Sequence, residues 1–321
     1  MHAYVDHLVY ALGDRRVNVA ESQRENRLLS TATDLAAAGF GHHHVCGPGT
    51  TAYDLARNAV GRLPRHVLST GFDAIVYATC LPLNGNVGDA DAFSSTRDVS
   101  DLMEFPVSRL QSDFALDHAI GVGLNQQGCT SMLGSLRIAR ALLATEPDWQ
   151  RILCVTADRF PDGAVYEQAY NVISDGAAAC VVSRQPSGFR ILANHQITNG
   201  GMAASTDDER VGSYFSYTDL LVKETLRRAD LSMADISWVV PQNTNQNAWK
   251  ILARLLGIGV EQVCQPTIRE VGHAISADNV VNLSSLIQSG RIRAGERILL
   301  LMAGHGLNWQ STILESMEDI E

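Results

Sequence analysis

Two kinds of apolar pattern alternate along this chain. Short unbroken runs read as buried strands: Asp73 to Cys80, Arg151 to Val155, Ala177 to Val182, Asp235 to Pro241 and Arg297 to Leu301. Between them, apolar residues recur at helical spacing. Glu21 to Ala38 predicts a helix ending near Gly39, and Tyr53 to Leu63 an amphipathic one. Met132, Leu133, Leu136, Ala139, Leu142 and Leu143 share one face of a third helix. More helices are expected from Tyr217 to about Ala229, from the segment after Pro241 through Leu256, and up to Gly290. Strands that are apolar throughout and separated by helices predict an α/β fold, with sheets covered by helices.

The order of these elements repeats. The Tyr53 helix and the Asp73–Cys80 strand are answered by the Tyr217 helix and the Asp235–Pro241 strand. Arg151-Ile152-Leu153-Cys154-Val155 is answered by Arg297-Ile298-Leu299-Leu300-Leu301, and each follows a helix, one ending near Leu143 and the other near Gln288. Two kinds of match in the same order predict a duplicated α/β unit, divided into residues 1–184 and 185–321. Leu81 to Leu110, rich in Gly, Asn, Asp and Ser, interrupts the pattern. It predicts a long excursion with little core, of the kind that forms lids and interface arms.

Composition narrows the function mainly by exclusion. A 45% hydrophobic and 19% charged chain is an ordinary globular protein. No apolar stretch is long enough to span a bilayer, and the start, with Asp6 beside His2 and His7, lacks a signal-peptide pattern, so a cytoplasmic protein without membrane attachment is expected. The net charge of −10 argues against nucleic acid as a partner. Six cysteines without a C-x-x-C spacing speak against a disulfide framework or a zinc site and fit a reducing compartment. Cys154 and Cys180 lie inside apolar runs and read as packing residues. His42-His43-His44 reads as an exposed turn, because adjacent residues rarely converge on one ion, and no metal is expected. There is no P-loop, and Gly121 and Gly123 lack the third glycine of a dinucleotide fingerprint, so no cofactor is expected.

Candidate chemistry begins at Cys129. The run Ile120, Val122, Leu124 gives way to Gly128-Cys129, and a helix follows. A cysteine at a helix N-terminus faces outward N–H groups and a dipole that favours an anion, the setting of an activated thiolate on an elbow. The plainer reading is a small buried hydrophobe ending a strand. In the second half, Gly272-His273 precedes a helix, with Asp278 five residues on. His273 is an ordinary loop histidine or the base a thiolate needs, and Asp278 orients its ring if the turn brings it back. Gln242, Asn243 and Asn245 follow a strand, Asn245 reading as a helix cap. Ala303-Gly304-His305-Gly306 is a glycine-flanked turn, either a plain hairpin or a source of backbone N–H groups for an oxyanion.

These segments, together with S-D-G-A-A-A from Ser174, W-V-V-P-Q-N-T-N, G-H-A-I-S-A and Gly290-Arg291-Ile292 leading to A-G-H-G-L-N-W, resemble the thiolase superfamily of condensing enzymes. The branch is that of β-ketoacyl-acyl-carrier-protein synthase III (KAS III). The resemblance implies a five-layered αβαβα fold, a homodimer, and an acyl group carried on Cys129 as a thioester. The departures are specific. KAS III enzymes usually have histidine where this chain has Gln242 and asparagine where it has His273. Positions that contact coenzyme A in typical members fall on Thr33, Ala37, Glu167 and Asn247. A single histidine with a carboxylate behind it suits acyl transfer to oxygen or nitrogen better than decarboxylative condensation. The expected function is therefore a KAS III-like acyltransferase of natural-product biosynthesis. It takes an acyl group from an acyl carrier protein or acyl-CoA and passes it to a hydroxyl or amine of a small molecule. Cys129, His273, Asp278 and Gln242 are its expected catalytic residues, with an oxyanion hole from the backbone of Cys129 and His305. The alternatives are a carbon–carbon condensing enzyme and a non-catalytic partner subunit.

Overall fold

Strands form where the apolar runs lie, and three more join them. In the computed structural model, which describes residues 2–202, 207–304 and 307–319, these are β1 (Tyr4–Leu12), β2 (Ala74–Ala78), β3 (Ile120–Leu124), β4 (Arg151–Asp158), β5 (Gly176–Ser183), β6 (Phe189–Thr198), β7 (Trp238–Pro241), β8 (Arg297–Gly304) and β9 (Asn308–Ser316). They make one continuous sheet in the order β7-β8-β9-β6-β1-β5-β4-β2-β3. Its seam is short: β1 and β6 pair through Tyr4 with Arg190 and Val5 with Phe189, and the Ile191 N–H donates to the Ala3 carbonyl at 2.9 Å.

The duplication is visible on either side of that seam. In one half β2 runs parallel to β4 with Ala74 opposite Ile152, and in the other β7 runs parallel to β8 with Trp238 opposite Ile298. Each parallel pair continues into an antiparallel one, β4 with β5 and β8 with β9. The orders β2-β4-β5-β1 and β7-β8-β9-β6 match, and the first half adds β3 at its edge.

Helices complete five layers. Helices α1 (Ala52–Val60) and α2 (Pro106–Phe114) cover the outer face of the first half-sheet. Helices α4 (Asp207–Ala229) and α5 (Gln246–Leu256) form the opposite outer layer, with α4 lying on β6 and β9. Between the half-sheets lie α3 (Ser131–Thr145), against β2, β4 and β9, and α6 (Asp278–Gln288), against β1, β5, β7 and β8. Met132, Leu133, Leu136 and Leu143 of α3 share one core with Val280, Val281, Leu283 and Leu286 of α6. Each such buried side chain stabilises the fold by about 1.5–3 kcal/mol. No helix among the described residues is long and apolar enough to cross a membrane.

Three local expectations are corrected. Glu21 to Ala38 is two short helices, Val19–Arg24 and Ala32–Ala37. Between them the Leu29 and Ser30 N–H groups donate to Glu167 Oε2 at 2.8 Å instead of to helix carbonyls. The excursion from Leu81 carries little core as far as Phe105, but it contains a helix, Ala90–Thr96, and α2 already begins at Pro106. The triple histidine is not an exposed turn. His42–Val45 is a strand paired with Arg15–Asn18, and the alternation of side chains turns His43 inward, fully buried. His43 Nδ1 lies 2.8 Å from the Ile173 carbonyl and Nε2 lies 2.6 Å from Ser22 Oγ. Nδ1 therefore donates and Nε2 accepts.

Burial lowers the His43 pKa from 6.5 to about 4, outweighing the Ile173 hydrogen bond. Because the folded value is depressed, its contribution to stability is present above pH 6.5 and is lost as pH falls towards about 4. Urea unfolding should show up to about 3 kcal/mol of this loss. His43→Gln should flatten the dependence in that window, and an unchanged slope would remove His43 as its source.

Candidate active site

Two helix N-termini meet between the half-sheets. On one side, Gly128 takes φ +55° and opens a single 3₁₀ turn, Gly128–Thr130, before α3. The Ser131 hydroxyl lies 2.9 Å from the Thr79 carbonyl and 2.5 Å from that of Gly128, so it ties the turn to the end of β2. Gly304, at the end of β8, packs against the same turn. A Cβ there would stand 2.9 Å from the Cys129 nitrogen and 3.0 Å from the Gln127 carbonyl oxygen, so only glycine lets the strand approach so closely. Cys129 is left 9% exposed at the centre.

On the other side, Gly272 at φ +68° turns the chain beside the Val172 carbonyl, which accepts the His273 N–H at 2.7 Å. A second 3₁₀ turn, Ile275–Ala277, then carries the chain back so that Asp278, the first residue of α6, faces the His273 ring. The Ser276 hydroxyl sits 3.4 Å from the Gly128 carbonyl, joining the two turns. His273 Nδ1 lies 2.5 Å from Asp278 Oδ2. The carboxylate also accepts the Asn243 and Ala274 N–H groups, each at 2.6 Å. Oδ2 already accepts the Asn243 N–H, so Nδ1 of the ring is the donor to it. That leaves Nε2 for the hydrogen bond His273 makes with Cys129.

Burial pulls the His273 pKa down, but the Asp278 charge, its hydrogen bond, and the hydrogen bond and charge of Cys129 outweigh it and hold the pKa up at about 10. These interactions favour the protonated ring beside the Cys129 sulfur.

Of the residues picked from sequence, Cys129, His273 and Asp278 come together. Gln242 does not join the line. It is buried at the end of β7, and its Oε1 accepts the Ala303 N–H at 2.5 Å, which braces β7 against β8 beside Gly304. His305 lies outside the described residues. Asn243 holds the histidine loop by donating to the Gly272 carbonyl at 2.7 Å. Asn245 caps α5, accepting the Asn247 N–H at 2.9 Å. Thr33, Ala37 and Asn247 are exposed, whereas Glu167 is buried and occupied with the Leu29–Ser30 loop. Among the described residues no group of three or more His, Cys, Asp or Glu side chains could hold a metal ion.

Two features escaped the sequence reading. Cys80 lies beside Cys129, with 3.8 Å between the sulfurs. Asp158, fully buried at the end of β4, accepts the Cys80 and Leu81 N–H groups at 2.9 Å and the Asn84 amide at 3.1 Å. Burial raises its pKa to about 7 against the pull of these donors. The signal lay in the strand pairing: with Ala78 opposite Thr156, two further steps place Cys80 opposite Asp158.

Comparison with known proteins agrees with this architecture. The family model for 3-oxoacyl-[acyl-carrier-protein (ACP)] synthase III matches residues 125–200, and the model for its C-terminal part matches residues 226–316. The β-ketoacyl-[acyl-carrier-protein] synthase III of Chlamydia caviae is 26% identical over 219 residues, 59% of this chain and 65% of that protein. That of Thioalkalivibrio sulfidiphilus is 24% identical over 309 residues, 86% of this chain and 88% of the relative. Among solved structures, 3-oxoacyl-(acyl carrier protein) synthase III, FabH, from Pseudomonas aeruginosa superposes with a TM-score of 0.82 at 20% identity, covering 100% of both chains. ChlB3, an acyltransferase, superposes with a TM-score of 0.79 at 19% identity over 100% of this chain and 99% of its own. With its paired helix N-termini, its duplicated half-sheets and these matches, the chain belongs to the KAS III-like proteins of the thiolase superfamily.

Proposed function

We propose that this protein is a two-step acyltransferase. It takes an acyl group from an acyl carrier protein or acyl-CoA onto Cys129 and passes it to a hydroxyl or amine of a small molecule in natural-product biosynthesis. One observation carries the reading: His273 is hydrogen-bonded to Cys129 on one side and to Asp278 on the other. The fold serves synthases and an acyltransferase alike, so the side chains have to decide.

In the first step the Cys129 thiolate attacks the donor thioester carbonyl while His273 holds the proton. The tetrahedral intermediate expels the donor thiolate, which takes that proton from His273. Its oxyanion faces the Cys129 N–H at the start of α3, with the His305 N–H as the proposed second donor. Acylation removes the contributions of Cys129 while those of Asp278 remain, and the ring, having given its proton to the donor thiolate, is left as the neutral base. In the second step it takes the proton of the attacking acceptor and returns it to the Cys129 sulfur as the thioester breaks. Asp278 keeps Nε2 aimed and offsets the charge on the ring in both steps.

The donor side is left open to carrier protein, because the carboxylate of Glu167 and the neutral Thr33, Ala37 and Asn247 supply no cation at the positions matched to coenzyme A contacts. We also take the assembly to be a homodimer, since the edge strand β3 carries exposed apolar residues, Ile120 being 54% exposed. The working division is residues 1–184 for the cysteine half and 185–321 for the histidine half. The synthase names of the sequence relatives favour the second reading, carbon–carbon condensation with protonated His273 facing an enolate.

Intact-protein mass spectrometry with a panel of acyl thioesters on coenzyme A and carrier proteins should show one acyl adduct, absent in Cys129→Ala. His273→Ala should slow discharge to the acceptor by about 10²–10⁴-fold, and more than it slows loading. Loading of the Cys129 variant, or unchanged discharge in the His273 variant, would refute the assignment. Asp278→Asn removes the anion that holds His273 protonated, so the imidazolium–thiolate pair loses population. Alkylation of Cys129 by iodoacetamide, followed across pH 4–11, should then report a ring pKa lowered from the wild-type value of about 10. The same pH profile in both proteins would show that Asp278 does not act through the ring.

A further inference from the structure

A second thiol stands against Cys129 and takes no part in the steps above. Cys80 follows β2, in hydrogen-bond contact with Cys129 across 3.8 Å of sulfur–sulfur distance. Its main chain is fixed. The Cys80 N–H reaches both Asp158 oxygens, at 2.9 and 3.0 Å, and the Leu81 N–H donates to Oδ1 at 2.9 Å. The Ser131 hydroxyl, 2.9 Å from the Thr79 carbonyl, ties the same segment to the turn that bears Cys129. The contact is therefore held from both sides. Cys80 is half-buried, whereas Cys154 and Cys180, facing each other across β4 and β5, are sealed in the core. The hydrogen bond to Cys129, then burial and the Asp158 charge, push the Cys80 thiol strongly up, so it stays a protonated neighbour of the nucleophile.

We propose that Cys80 and Cys129 form a reversible disulfide under hydrogen peroxide, which switches the nucleophile off and shields it from irreversible oxidation. The proposal rests on Cys129 being the reactive thiolate. That thiolate attacks one peroxide oxygen and the O–O bond breaks. The sulfur is oxidised to sulfenic acid, and the departing hydroxide takes a proton from His273 and leaves as water. The Cys80 sulfur then attacks the sulfenic sulfur. The S–S bond forms, the S–O bond breaks, and the hydroxyl leaves with the Cys80 proton as a second water. Two thiols and one hydrogen peroxide thus give a disulfide and two waters, and a dithiol reductant reverses the change. The sulfurs need to close from 3.8 Å to the roughly 2.05 Å of a disulfide, a movement within reach of side-chain rotation. Without Cys80, the sulfenic acid at Cys129 meets further peroxide and goes on to sulfinic acid.

The test is hydrogen peroxide treatment of the reduced protein, followed by non-reducing peptide mapping and by iodoacetamide labelling of Cys129. The expected result is one cross-linked peptide pair joining Cys80 to Cys129, complete loss of Cys129 labelling, and full return of labelling after dithiothreitol. In Cys80→Ser, Cys129 should become sulfinic acid and labelling should not return. Sulfinic acid at Cys129 of the wild-type protein with Cys80 still a free thiol would overturn the proposal. So would equal recovery in the two proteins. The wild-type mapping stands alone if the variant fails to fold. Neither readout uses acyl transfer, so failure of the acyltransferase reading would show separately, as a protein that forms the disulfide but never carries an acyl group.

Discussion

The contact on which the site depends is the one between Asp278 and His273. A fully buried carboxylate is costly unless every lone pair is used, and this one accepts from the Asn243 backbone, the Ala274 backbone and the His273 ring. Asn243 sits at the end of β7, and Ala274 and Asp278 flank the turn into α6. One side chain thus fixes the sheet, the histidine loop and the helix relative to one another. The ring orientation follows, and with it the atom that faces Cys129. Gln242 supports the arrangement from the side by bracing β7 against β8, which keeps Gly304 against the cysteine turn.

Duplication explains why the two reactive groups face each other. Each half contributes one inner helix that is entered through a 3₁₀ turn, and the two turns lie against each other. The dipole of α3 favours an anion at Cys129, and that of α6 favours one at Asp278. Between two such ends a cation is the natural filling, and the protonated His273 ring supplies it. The same physics gives the ring two states. In the proposed reaction it is an acid next to a thiolate and free to be a base next to a thioester.

Much of this was legible because turn chemistry and helix starts are local. Gly128-Cys129 and Gly272-His273 each stand just before a helical pattern, and Asp278 lies where one short turn returns it to the ring. What could not be read depends on register or on distant partners. Cys80 and Asp158 meet through the pairing of β2 with β4, which fixes their distance although neither segment reveals it alone. The helix expected across Glu21 to Ala38 is broken by Glu167, far along the chain. His43 looked like surface because three histidines are polar as a group, yet the pleat of a short strand turns only the middle one inward.

The measurement that bears most directly on the account is a competition for the acyl group. Protein loaded on Cys129 would be offered a hydroxyl or amine acceptor together with a malonyl thioester, and a single turnover followed for both products. The account predicts ester or amide with no carbon dioxide released, since His273 is oriented as a base by Asp278. A β-keto product with an equal amount of carbon dioxide would contradict it and identify the chain as a condensing enzyme.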